Sequence, residues 1–149
     1  MLIGVPAETT AGETRVAVTP ETAKKIIAQG HTVHVQSGAG VAASVTDAAY
    51  EAVGAHITDA AGALGAELVL KVRAPSAAEL KHMKSGSALV GMLNPCDAEG
   101  LQHIAAAGLT SFALEAAPRT TRAALTVPAA VISMGKKRWY LSAAIMTAL

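Results

Sequence analysis

Glu67-Leu68-Val69-Leu70-Lys71-Val72 is a nearly unbroken apolar run that carries a charge close to its end. A strand wetted on one side alternates apolar and polar residues. A run apolar at successive positions needs cover on both faces, the condition of a parallel strand inside an α/β sheet. Ala74-Pro75 ends the run, and Ser76-Ala77-Ala78-Glu79 follows as a capping-box pattern, which predicts a helix over about 77–83. The rest of the chain repeats this grammar. Met1–Pro6 is a short apolar run closed by proline, read as the first strand. Thr19-Pro20-Glu21 starts a helix with a hydroxyl cap, a proline at the first helical position and an acid in the first turn, and Gly30 stops it. His31–Gln36 alternates as a strand does, and His56-Ile57 is a very short one. Asp47 and Asp59 read as caps of two short helices, the second weakened by Gly62 and Gly65. Ser87–Leu93 is another buried strand closed by Asn94-Pro95. Asp97 caps a helix reaching about Ala107, and Leu109–Leu114 is the next strand. Strand and helix thus alternate with short connections. That pattern predicts a parallel sheet with helices on both faces, Rossmann-like or flavodoxin-like, with right-handed crossovers.

Composition narrows the function classes. The 149 residues suffice for one domain with a core, and 52% apolar content is incompatible with a disordered chain. A formal net charge of +1 with scattered lysines and arginines gives no footprint for nucleic acid. A single cysteine, Cys96, allows no internal disulfide framework and fits a reducing compartment. The N-terminus lacks the pattern of a signal peptide. The longest uncharged runs, 123–135 and 139–149, fall short of the roughly 18 to 20 residues that a spanning helix needs, so a soluble, cytoplasmic polypeptide is expected.

Two cations stand out. Arg15 lies in the polar loop between the first strand and the first helix, and Lys71 interrupts the apolar strand near its carboxyl end. Open α/β sheets bind ligands outside the carboxyl ends of their strands. Arg15 as a fork and Lys71 as a point charge would suit a small carboxylate there. The alternatives are a surface arginine paired with Glu13 or Glu8, and a lysine that snorkels to water. Gly38-Ala39-Gly40-Val41-Ala42-Ala43 matches the dinucleotide fingerprint loosely. The next helix cap comes only at Asp47, and no acid closes a second strand about 20 residues on, so the segment reads as a glycine turn. The histidines suggest no metal site: His31 and His34 point to opposite faces of a strand, and His56, His82 and His103 stand apart. Cys96 precedes a helix start without a visible base and reads as an incidental thiol. Pro118-Arg119-Thr120-Thr121-Arg122 is a doubly basic loop following the last clear strand.

Taken together, these segments resemble the N-terminal domain shared by alanine dehydrogenase and the α subunit of proton-translocating NAD(P) transhydrogenase. The resemblance rests on Met1–Pro6 with Glu8, the run Glu13-Thr14-Arg15-Val16-Ala17-Val18-Thr19-Pro20, Gly30, Ser37-Gly38-Ala39-Gly40, Asp47, Gly54-Ala55, Leu70-Lys71-Val72 with Ala74-Pro75, and Pro118-Arg119. It implies hydride transfer between NAD(H) and NADP(H) in the full enzyme, with NAD(H) as cofactor there and none expected for this chain alone. It also implies a homodimer of α subunits working with membrane-embedded subunits. Arg15 and Lys71 match residues that bind the substrate carboxylate in alanine dehydrogenases. Arg119, with Arg122 beside it, matches a loop that approaches the nicotinamide. Alanine dehydrogenases place a catalytic histidine where this chain has Asn94, which favours the transhydrogenase branch. An alanine-dehydrogenase fragment and a non-catalytic carboxylate-binding or interaction module are the alternatives. The expected organisation is a family-type domain over 1–122 and a divergent tail over 123–149, the chain being a truncated or divergent form without the second, nucleotide-binding domain. Deleting that tail is expected to leave a folded and more soluble domain.

Overall fold

The computed structural model describes residues 1–116 and 131–132. The chain runs β1 (Leu2–Val5), α1 (Pro20–Ala28), β2 (Thr32–Gln36), a 3-10 turn at Val41–Ala43, α2 (Asp47–Glu51), β3 (His56–Thr58), α3 (Ala60–Leu64), β4 (Leu68–Arg73), α4 (Ala77–Leu80), β5 (Ala88–Met92), α5 (Ala98–Ala106), β6 (Thr110–Ala113), a second 3-10 turn at Leu114–Ala116, and β7 (Val131–Ile132). Local chemistry sets the helix starts. The Thr19 hydroxyl accepts from the Thr22 N–H ahead of Pro20, and Asp59 and Asp97 accept from Gly62 and Gly100. Ser76 and Glu79 form a full capping box. Asp47 departs from expectation. Thr46 occupies the cap of α2, and the Asp47 carboxylate turns back to the preceding loop, where Ser37 Oγ and the Gly38 N–H donate to it at 2.7 and 2.9 Å.

The sheet order is β3-β2-β1-β4-β5-β6-β7; β1 to β6 run parallel and β7 is antiparallel to β6. The first six strands have the Rossmann order 3-2-1-4-5-6, which places the topological switch between β1 and β4. Alternation along the strands divides the core. Ile3, Val33, Val35, Leu68 and Leu70 pack against Ala23, Ile26 and Tyr50 from α1 and α2. Val69 and Leu89 pack against Leu64, Leu80 and Ile104 from α3, α4 and α5. Burial on both sides explains the uninterrupted apolar run that becomes β4. Gly4 is required because α3 crosses β1 so closely that a Cβ would collide with the carbonyl of Ala63. Tyr50 is fully buried, and its hydroxyl donates to the Val18 carbonyl at 2.7 Å, tying α2 to the end of the loop after β1.

Candidate functional site at the switch point

At the carboxyl ends of β1 and β4 the chain leaves the sheet through two loops, and charged side chains join them. Glu8, just beyond β1, reaches across to β4 and accepts from the backbone N–H groups of Val72 at 2.6 Å and Arg73 at 3.2 Å. Its second oxygen lies 3.7 Å from Lys71 Nζ. Lys71 donates to Glu79 Oε1 at 2.6 Å. The other Glu79 oxygen accepts from the Ser76 N–H at 2.7 Å and from Thr9 Oγ1 at 3.4 Å. The side chains of Lys71 and Glu8 are 1% and 4% exposed, and that of Glu79 is 11% exposed. Burial pushes the Glu79 carboxyl up, but the hydrogen bonds from Lys71 and Ser76 and the lysine charge outweigh it, leaving the group below its ordinary value. Lys71 is therefore neither a snorkelling lysine nor an open cation. It sits between two buried carboxylates, and this inner group carries one negative charge in excess.

An outer group lies beside it. Glu13 accepts from Arg15 Nε and Nη2, each at 2.7 Å, and from Arg73 Nε at 2.8 Å. The Glu13 side chain is 5% exposed, whereas those of Arg15 and Arg73 are 56% and 48% exposed. The Arg15 hydrogen bonds, helped by Arg73, hold Glu13 far below the usual carboxylate range, and Glu13 in turn raises Arg15. The pairing of Arg15 with Glu13 is the surface alternative read from the sequence, here with a second arginine on the same oxygen. Sequence reasoning missed Arg73, the last residue of β4. Its signal was present as a second cation in the segment Lys71-Val72-Arg73, two residues from the buried lysine.

Elsewhere the structure replaces isolated residues with contacts. The glycine segment is a turn: Gly38 has φ +77°, and its N–H, which a phosphate would need, is already bonded to the Asp47 carboxylate. The described residues therefore do not fit a dinucleotide at this segment. His56 does not stand apart, because the β2–β3 register sets it opposite His34 with ring centroids 5.6 Å apart, edge to face. Among the described residues no group of three or more metal-ligating side chains assembles. Cys96 is exposed ahead of α5. Asn94 follows β5 in a left-handed conformation, φ 50°, with its N–H donated to Glu115 at 2.6 Å. Arg119 and Arg122 lie outside the described residues. Among the described residues no helix is long and apolar enough to cross a membrane.

Comparison with known proteins supplies the context. The family model for the alanine dehydrogenase/PNT N-terminal domain matches residues 4–132. An NAD(P) transhydrogenase subunit alpha from Cereibacter sphaeroides is 38% identical over 126 residues, covering 83% of this chain and 24% of the relative. An alanine dehydrogenase from Mycolicibacterium smegmatis is 36% identical over 122 residues, covering 77% of this chain and 32% of the relative. The crystal structure of a transhydrogenase from Sinorhizobium meliloti superposes with a TM-score of 0.79 at 39% identity, covering 83% of this chain and 36% of the other. The chain thus spans about a quarter to a third of the length of the relatives it matches.

Proposed function

The chain belongs to the alanine dehydrogenase/PNT N-terminal domain family, and from that premise we propose that it serves as the first domain of an NAD(P) transhydrogenase α subunit. In the assembled enzyme hydride would pass between NAD(H) and NADP(H). The two nicotinamides carry that chemistry, and the protein contributes position and environment. One observation carries the choice of branch. The resemblance implies that alanine dehydrogenases place a catalytic acid–base histidine after the strand matching β5, and this chain has Asn94 there, whose carboxamide has no proton to exchange near neutral pH. Lys71 has the inner structural role in this reading, pinning the loops after β1 and β4, while Arg15 faces outward. Arg119 and Arg122 take the nicotinamide-facing role. The partners are a second α subunit and membrane-embedded subunits, on the cytoplasmic face.

Domain exchange tests the branch. Residues 1–132 grafted in place of the first domain of the Sinorhizobium meliloti transhydrogenase are expected to retain hydride transfer. The same graft in an alanine dehydrogenase is expected to abolish L-alanine oxidation. The reverse outcome would assign the chain to the other branch. A related expectation concerns the chain by itself. Because Asp47 occupies the glycine turn, calorimetric titration with NADH should show no complex. A 1:1 complex of micromolar affinity would place a dinucleotide site within these 149 residues.

A further inference from the structure

The opposite end of the sheet carries a different arrangement. At the amino ends of β4 and β5 lies a cleft of about 330 Å³, lined by Ala66 and Glu67 from the segment before β4 and by Lys84, Ser85, Gly86 and Ser87 from the segment before β5. Its volume falls at the lower end of the range for small-molecule sites. Glu67 and Lys84 both line this cleft, yet among the described residues neither enters an ion pair. Opposite charges that share a cleft without satisfying each other suit a ligand that carries both signs. We propose that the cleft binds a small zwitterion, an ammonium and a carboxylate on one short carbon chain, with Glu67 receiving the ammonium and Lys84 the carboxylate.

Three features support the assignment. The backbone of the cleft is fixed before any ligand arrives. The Glu67 N–H donates to the Leu2 carbonyl at 3.1 Å, and the Ala88 N–H donates to the Glu67 carbonyl at 2.9 Å. Lys84 to Ser87 form a closed turn: the Ser87 N–H donates to the Lys84 carbonyl at 3.0 Å, Gly86 holds φ +87°, and its N–H donates to the Gly108 carbonyl at 2.9 Å. Binding there orders little new backbone. The Glu67 carboxylate is also oriented, because Oε2 accepts from the Leu2 N–H at 2.6 Å while Oε1 makes no bond to the described residues. Third, Ser87 is 6% exposed, and its hydroxyl is buried with no hydrogen-bond partner among the described residues. A buried hydroxyl without a partner costs stability until one is supplied. Serine turns between staggered rotamers, and its hydroxyl both donates and accepts, so it can serve either end of a zwitterion seated in the cleft. The site lies at the far end of β4 from Lys71. It goes beyond the transhydrogenase reading and does not rest on it, since it uses only this chain's geometry.

The test is a titration of the full 149-residue chain with glycine, β-alanine and 4-aminobutyrate, each separately, followed by ¹⁵N–¹H NMR at constant pH and ionic strength. Acetate and methylammonium, the two halves of such a ligand, are the controls. The expected result is saturable shifts at the amides of Glu67 and Ser85–Ala88 with at least one of the three zwitterions, and none that saturate with either half at the same concentrations. The chain length that saturates first reports the spacing between the two charges. Glu67→Gln and Lys84→Gln are each expected to weaken binding about tenfold, the worth of one charge-assisted hydrogen bond. Failure of all three zwitterions to saturate, saturable shifts mapping elsewhere, equal saturation by acetate or methylammonium, or undiminished affinity in both variants would overturn the proposal. Should either variant fail to fold, the parent chain's shift map and its response to the two halves decide alone.

Discussion

Replacing Lys71 with methionine is expected to cost about 3–5 kcal/mol of folding stability, the penalty for leaving buried charge uncompensated. The change strands Glu8 and Glu79, whose side chains are almost out of solvent, with backbone N–H donors but without the ammonium between them. Urea denaturation of parent and variant measures the loss. The double variant Lys71→Met, Glu79→Gln should recover much of it, because glutamine preserves the capping box while removing one stranded charge. The pH dependence supplies a second readout with a sign. In the parent, Glu79 sits below its ordinary value of 4.5, so its contribution is complete above that pH and is lost as acid brings the pH down through the folded value. Without the lysine, its hydrogen bond and its charge no longer lower the carboxyl, while burial and the Ser76 hydrogen bonds remain, so the group moves up from its value in the parent. The variant should then lose less stability than the parent as the pH falls through this range. A loss below about 1 kcal/mol, with an unchanged acid profile, would mean that water reaches the cluster and the triad is not buried in solution.

Most of the architecture was legible in local pattern. The capping signals at Thr19, Ser76, Asp59 and Asp97 are short-range chemistry, and each produced the contact that its sequence predicts. The doubly covered strand β4 was visible as an apolar run because both faces meet helices. Partner choice was hidden wherever it depends on register or on long connections. Glu8 and Val72 are 64 positions apart, and nothing in either local sequence announces the bond. The same holds for His34 and His56, which meet only because β2 and β3 pair in that register. Asp47 illustrates competition between two local uses of one side chain: the same carboxylate that could cap α2 is claimed by Ser37 and Gly38. At the candidate site, Arg15 and Lys71 were recognisable as unusual cations. That one would be buried and the other clamped beside Arg73 follows from three glutamates, two brought in by the loop after β1 and one by α4.

Ending the chain at residue 122 is expected to destabilise the sheet and promote association, contrary to what the sequence suggests for the tail. The reason is β7. Residues 131–132 fall inside the segment expected to be dispensable, yet they pair antiparallel with Ser111 and Phe112 of β6. The family match also extends to residue 132. Removing β7 leaves β6 as the sheet edge, still paired with β5 on one side but with the backbone groups that faced β7 open on the other. This edge is apolar, with buried Phe112 and Ala113 and the exposed Leu114 just beyond. Natural sheets protect edges with charge, proline or cover, and an unprotected apolar edge templates pairing between chains. The ladder itself is short, so the intrinsic loss should be modest, on the order of 1–2 kcal/mol at about 1 kcal/mol per hydrogen bond. Association is the larger effect. A chain ending at residue 132 keeps the pairing residues and serves as the matched control. Thermal melts and light scattering across a concentration series should show 1–122 melting lower and growing in mass with concentration, while 1–132 holds constant. Equal melting temperatures and equal masses would show that β7 neither stabilises nor shields β6, and the domain would then end by residue 122.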